Sequence, residues 1–164
     1  MFFTVMGISV ILIITAGVCF MIFHGQKNGN DRKPGKKVTD IEFLNLRISG
    51  MRGSEEYEII VNGGQAEISY YTVRYIDAHD ERVLEKRAVC NTQTVIDALN
   101  SFNFIRWNGF HGKHPKGVLD GRMFSLTARL NGGQTLSADG SENFPDNFRE
   151  FERWLNEKLN EDKQ

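Results

Sequence analysis

The sequence predicts an α+β domain, in which an antiparallel sheet of about six strands carries two helices packed on one face, plus one N-terminal transmembrane helix. Three observations lead to this fold class. An uncharged apolar run opens the chain, and segments of alternating apolar and polar residues separated by glycine-rich turns follow it. Two further segments have the apolar spacing of helices. Strands grouped along the chain, with helices after them, are typical of α+β folds.

The apolar run spans Phe2 to Phe23, which is 22 residues without a charge. A helix of this length measures about 33 Å, close to the hydrocarbon thickness of a bilayer. A cleaved signal peptide would have basic residues before the run and small residues at its end. The surroundings of Cys19 do not favour lipidation. We therefore predict that residues 1–24 form a retained single-pass anchor in the cell membrane, with the lipid bilayer as its partner.

Residues 25–37 are rich in Gly, Asn and Lys and predict a basic, flexible tether. Five cations stand here against Asp31 alone, and no basic residue precedes the anchor. The positive-inside tendency therefore places the following domain in the cytoplasm, with an extracytoplasmic domain as the alternative. Cys90 is the only cysteine after the anchor, which agrees with a reducing compartment.

The remaining residues, 38–164, are predicted to form one globular domain. Its first four strands cover 41–48, 57–62, 66–76 and 82–90. Apolar and polar side chains alternate in the first two, the third is rich in Tyr, Val and Thr, and the fourth follows a polar turn. Asn62-Gly63-Gly64 supplies the positive-φ positions of a tight turn between the second and third strands. We expect the four strands to pair in chain order as an antiparallel meander.

The apolar spacing becomes helical after Cys90. Asn91 or Thr92 can cap a helix that runs to Phe102, and a strand is predicted at 124–130. The turn at 131–133 leads into a last strand through Leu136 and Ala138. A closing amphipathic helix should dock on the sheet through one apolar stripe, formed by Phe148, Phe151, Leu155 and Leu159.

The charge of the domain argues against a nucleic-acid partner. From Val38 onward there are 15 basic and 20 acidic residues, a net charge of −5, and no basic stripe. Acidic pairs such as Glu55-Glu56 are interpreted as solvated turn residues. No nucleophile elbow, SxxK motif, phosphate-binding loop or dinucleotide fingerprint occurs in the sequence.

One loop, residues 106–122, gathers several side chains that could bind a ligand. Two imidazoles three residues apart could contribute to a metal site, but no third or fourth ligand accompanies them, so neither a metal nor a cofactor is predicted. A patch for a small anion or an acidic partner, and a solvated loop, are the other interpretations. The candidate binding residues are His111, Lys113, His114, Lys116, Asp120 and Trp107.

These observations favour a membrane-tethered, non-catalytic binding or assembly module with a protein partner. It would use the open sheet face, a strand edge or the loop His111 to Lys116. The alternatives are a membrane-bound hydrolase whose residues converge only in the fold, and a small-ligand sensor with an apolar pocket beside Trp107. Both alternatives use the loop 106–122.

The C-terminal half also carries a family resemblance. The segments WNGF, GVLDGRMFSL and LNGGQTLSADGSENFPDNFREF, between Trp107 and Phe151, resemble a pattern in uncharacterised membrane-anchored proteins of Clostridia and related Firmicutes. Asp120-Gly121 resembles their turn before a Phe-rich strand, and Phe144-Pro145 their helix start. The resemblance implies this architecture and a bacterial origin, and it implies no activity.

Overall fold

The computed structural model describes residues 37–51, 53–76 and 79–161. The predicted anchor, Phe2 to Phe23, and the tether up to residue 36 lie outside the described residues. Within the described ranges, no helix is both long and apolar enough to cross a membrane.

The described residues form an α+β domain with seven strands and two helices. The helices are α1 (Thr92–Ser101) and α2 (Phe148–Lys158), and a 3₁₀ turn (Phe104–Trp107) follows α1. The strands are β1 (Ile41–Gly50), β2 (Gly53–Asn62), β3 (Gln65–Ile76), β4 (His79–Asn91), β5 (His111–Gly112), β6 (Met123–Leu130) and β7 (Gln134–Ser141).

The strands make one sheet in the order β4-β3-β2-β1-β6-β7-β5. The meander of β1 to β4 and the hairpin of β6 and β7 are antiparallel, as predicted. The seventh strand, β5, was not predicted. It has two residues and pairs in parallel with β7. Two residues are too few to show an alternating pattern, and the strand forms only because the loop comes back beside β7.

One face of the sheet forms the core. Leu44 of β1 pairs with Ile59 of β2, which pairs with Ile68 of β3, and all three are buried. Buried residues of both helices belong to the same cluster, so both helices pack on this face, as predicted. They include Val95, Ile96 and Leu99 of α1 and the predicted stripe Phe148, Phe151, Leu155 and Leu159.

The local signals for turns and caps are confirmed. Asn91 caps α1, since its side-chain oxygen accepts a hydrogen bond from the Gln93 N–H at 2.7 Å. The turn between β2 and β3 places Gly63 and Gly64 at positive φ, where a side chain would be strained.

The chain enters the domain at the β6–β7 turn. Asn131 Oδ1 accepts hydrogen bonds from the Thr39 N–H at 2.8 Å and the Thr39 hydroxyl at 3.0 Å. Asn131 Nδ2 donates to the Lys37 carbonyl at 3.0 Å, and the Gly132 N–H donates to the Asp40 carboxylate at 2.9 Å. These bonds hold the start of the domain at one end of the sheet, which we call the entry end.

The opposite end of the sheet, which we call the distal end, contains the β1–β2 turn around Met51 and the start of β6 at Met123. It also contains the ends of β3 and β4 where these two strands meet. β1 has ten residues, so the two ends are about 33 Å apart.

Candidate functional site

Trp107 and the other five candidate residues lie in different environments. Trp107 is buried, its Nε1 donates to the Asp146 carbonyl at 3.0 Å, and its ring centroid lies 4.8 Å from that of Phe104. The other five are exposed: His111, Lys113, His114, Lys116 and Asp120. Trp107 is therefore part of the core.

The two imidazoles have separate partners on β7. His111 Nδ1 lies 2.7 Å from Asp139 Oδ2. His114 Nδ1 lies 2.7 Å from the Ser141 hydroxyl, and its Nε2 lies 2.7 Å from the Val118 carbonyl oxygen. A carbonyl oxygen only accepts, so Nε2 carries a proton, and in the neutral ring Nδ1 then accepts from Ser141. His114 thus ties the loop 113–122 to the end of β7.

This arrangement offers little for metal or acyl-transfer chemistry. Among the described residues, no group of three or more His, Cys, Asp or Glu side chains is placed to hold a metal ion. The Ser141 hydroxyl is hydrogen-bonded to His114, as a catalytic serine is to its base. Neither residue lines any of the grooves described below. Their hydrogen bonds attach a loop to a strand.

The loop is also attached at its C-terminal end. The Arg122 N–H donates to the Glu142 carboxylate, and the Arg122 guanidinium donates to Glu152 of α2 at 2.6 Å. The hydrogen bond to Glu152 raises the pKa of Arg122, and the nearby charge of Glu55 adds to this effect. Arg122 therefore lies among three carboxylates, those of Glu55, Glu142 and Glu152.

A groove of about 650 Å³ opens beside Arg122 at the distal end. The tip of the β1–β2 hairpin forms one wall and the last residues of β3 form the other. It has mixed polar and apolar walls, which suit a polypeptide surface better than a small apolar ligand. Its lining includes Ile48, Met51, Thr72, Arg74, Tyr75 and Arg122.

A second groove of about 340 Å³ lies beside Trp107. It occupies the place that the ligand-sensor alternative requires. Two of its rings stack inward, however, because Phe144 lies 4.8 Å from Phe148 and Phe110 lies 6.2 Å from Phe124, centroid to centroid. The groove therefore follows the rim of the aromatic core. A third groove, of about 280 Å³, lies between Ile60 and Val89.

The face of the sheet opposite the helices carries an ion-pair network that sequence reasoning missed. Glu56 was expected to be solvated, but it is only 7% exposed. Its carboxylate accepts from Asn45 Nδ2 at 2.5 Å and lies 3.1 Å from the Arg82 guanidinium. Arg82 also stacks over the Tyr71 ring at 4.0 Å and pairs with Glu58 at 3.3 Å.

The feature that reveals this network is the position of Glu56 inside β2, where the sequence interpretation had placed a turn. Strand pairing sets Glu56 opposite Arg47 on one side and Tyr71 on the other. The side chains of Asn45 and Arg82 contact its carboxylate, so it is buried among side chains of the sheet itself.

Exposed apolar side chains concentrate at the distal end. Met51 is 80% exposed and Leu119 is 95% exposed. Four others lie at the same end or in the loop that leads into β6 there, so this end holds six of the ten large apolar side chains that the described structure exposes. The full set at this end is Met51, Tyr75, Ile76, Val118, Leu119 and Met123.

In comparisons with known proteins, no family model, curated protein or solved structure matches this chain. The resemblance to membrane-anchored Firmicutes proteins therefore stays a prediction, and function has to be argued from the geometry of the described residues.

Proposed function

We propose that this protein is a membrane-tethered, non-catalytic binding module that presents the distal end of its sheet to a protein partner. The observation that carries the proposal is the concentration of exposed apolar side chains at the end opposite the chain entry. Exposed apolar side chains gathered in one region of a domain mark interaction sites.

The chemistry of the distal end suits a protein partner. Tyr75 and Met51 are of residue types enriched at protein interfaces, and flexible Met side chains adapt to different surfaces. The 650 Å³ groove lies between these two side chains, and the charged pair of Arg122 and Glu152 lies beside it. An apolar patch next to a charged group offers both binding free energy and orientation.

The sequence before the domain supports its attachment to a membrane. The uncharged run Phe2 to Phe23 and the cations that follow it support a bilayer anchor. The hydrogen bonds of Asn131 hold the first residues of the domain at the entry end. In this proposal the anchor keeps the domain at the membrane, where it meets its partner.

Site-specific photo-crosslinking in intact cells tests the proposal. A photoreactive amino acid at Met51 or Leu119 should give an adduct of one defined larger mass, containing the same second protein by mass spectrometry. The matched control is Thr135, which is exposed at the entry end and should give no such adduct. Equal adducts from both ends, or none from the distal end, would contradict the proposal.

The anchor is tested in the same cells. Full-length protein should stay in the membrane fraction after carbonate extraction, and a variant without residues 2–23 should be released. If the full-length protein is also released, the tethered part of the proposal is wrong, whatever the crosslinking shows.

A further inference from the structure

We propose that β4 pairs with β4 of a second copy of this chain, antiparallel, so that one sheet continues across a two-fold axis at Val83. This inference goes beyond the proposed function and does not depend on it, because it concerns the side edge of the sheet.

β4 is a long strand at the edge of the sheet. Among the described strands it pairs with β3 alone, and of its 13 residues only Ala88 is buried. Proteins usually shorten or cover such an edge, since its outward amide and carbonyl groups can pair with another strand. In the described sheet the other edge strand, β5, has two residues. Val83 and Leu84, at the middle of β4, are 36% and 44% exposed.

The charges of β4 favour a second copy of the same strand. The segment DERVLEKR, residues 80–87, has two acidic residues at its start, two basic residues at its end and two apolar residues in its centre. In antiparallel self-pairing, Asp80 faces Arg87 of the second copy, and Glu81 faces Lys86 of the second copy. Cross-strand pairs of opposite charge stabilise a sheet, whereas like charges destabilise it.

A bulge in β4 makes this register geometrically possible. A two-fold axis perpendicular to the sheet requires that facing residues point to the same side. Lys86 pairs with Tyr70 but Leu84 pairs with Tyr71, so Glu85 is an extra residue that changes the alternation. As a result Asp80 and Arg87 share the face opposite the helices, which we call the uncovered face. Glu81 and Lys86 share the face that carries the helices.

The extra residue Glu85 also determines which residues face each other at the centre of the pairing. With one extra residue in each copy, Val83 faces Val83 of the second copy and Leu84 faces Arg82 of the second copy. The carboxylate of Glu85 accepts a hydrogen bond from the Thr72 hydroxyl of its own chain at 2.8 Å. At the axis the two Val83 side chains therefore meet, a Leu84–Arg82 pair lies on each side of them, and the pairs of opposite charge lie further out.

On the uncovered face, the pairing extends ion pairs that already exist. Arg87 lies 3.2 Å from Glu67 and Asp80 lies 2.7 Å from Arg47, all within one chain. Joining Arg87 to Asp80 of the second copy gives a row of four alternating charges across the interface. Sliding the strands by two residues would set Arg87 against Arg82, so the charges select one register.

Disulfide crosslinking of the full chain in its membrane tests the pairing. In a background with Cys19→Ala and Cys90→Ala, Val83→Cys should form a disulfide-linked dimer under mild oxidation, because it faces its own copy at the axis. The control is Val89→Cys, an exposed position on the same strand away from the axis. We expect Val83→Cys to crosslink about tenfold faster than Val89→Cys, which corresponds to about 1.4 kcal/mol.

A charge exchange in the Val83→Cys background tests the register. Glu81→Lys alone and Lys86→Glu alone should each slow dimer formation about tenfold, and the two together should return it to within about twofold. Equal crosslinking of Val83→Cys and Val89→Cys would overturn the proposal. So would a double variant as slow as the single ones, or a Val83→Cys adduct containing another protein, which would identify β4 as the site of a different partner.

Discussion

β6 and β4 belong to the same sheet, and both were predicted as strands, yet they have very different surroundings. β6 buries every second side chain. β4 buries one of 13. The lengths of the helices explain this difference in burial. α1 and α2 have 10 and 11 residues and are about 15–17 Å long, whereas β4 extends about 40 Å, so the helices are too short to cover β4 along its length. A sequence pattern can thus predict a strand without showing whether anything covers it.

An aspartate in the core beneath the helices should destabilise the domain far more than an aspartate on the exposed part of β4. This comparison gives the largest expected effect. Phe151 is buried with its ring centroid 5.5 Å from that of Phe104 and 5.7 Å from that of Trp107. Phe151→Asp removes a large core side chain and buries a charge, so it should cost at least about 4 kcal/mol and unfold the domain. Chemical denaturation of the purified full chain, followed by tryptophan fluorescence, measures this.

The matched control is Val89→Asp, which places the same charge on a 52% exposed position of β4 away from Val83. It should change the free energy of unfolding by less than about 0.5 kcal/mol. If Phe151→Asp retains wild-type stability, or if both variants lose stability equally, the division between covered and uncovered parts is wrong.

An intermediate effect is expected on the uncovered face. Glu56→Ala removes the carboxylate that accepts from Asn45 and pairs with Arg82, so it should cost about 1–3 kcal/mol. Arg82 belongs to β4, and hydrogen exchange of the β4 amides should therefore accelerate more than that of the β6 amides.

Glu42→Ala is the control for this prediction. Glu42 makes an exposed ion pair with Arg129 at 3.4 Å, and such pairs contribute little, so the variant should lose less than about 0.5 kcal/mol. A loss in Glu56→Ala no larger than in Glu42→Ala would mean that the network does not support β4.

The smallest effect concerns pH and the covered face. Burial raises the pKa of the Tyr57 hydroxyl, which donates to Asn156 of α2 at 3.3 Å. The folded state therefore keeps its proton at a pH where the unfolded chain loses it. This contribution to stability is complete below about pH 10 and decreases as the pH rises towards the folded-state pKa.

Tyr57→Phe has no such proton to lose, so its stability should fall less between about pH 8 and about pH 11 than that of the wild type. Denaturant unfolding of the two proteins at both pH values measures the difference. Parallel pH curves would show that Tyr57 does not ionise on unfolding.

Several elements could be predicted because their signals are local. The turn at Gly63 and Gly64 requires positive φ, and the Asn91 cap involves residues two positions apart. The stripe of α2 follows from helical spacing alone. β5 could not be predicted, since two residues have no pattern, and the burial of Glu56 depends on side chains from two neighbouring strands.

The candidate loop shows the same limit. The sequence places His111 and His114 three residues apart, but their partners Asp139 and Ser141 lie on β7, more than 25 positions along the chain. Whether such side chains meet each other or attach the loop to a strand is decided by the pairing of β5 with β7. Trp107 was a candidate as part of an aromatic run, and the position of α2 makes it a core residue.

By itself, the sequence determined the strands of the meander, both helices, the Asn91 cap, the glycine turns and the α+β class of the domain, because each of these depends on residues close together in the chain. Only the tertiary structure decided which strands the helices cover, where the exposed apolar side chains gather and which carboxylate is buried. These properties depend on strand register and on the dimensions of distant elements, and no short segment of the sequence contains them.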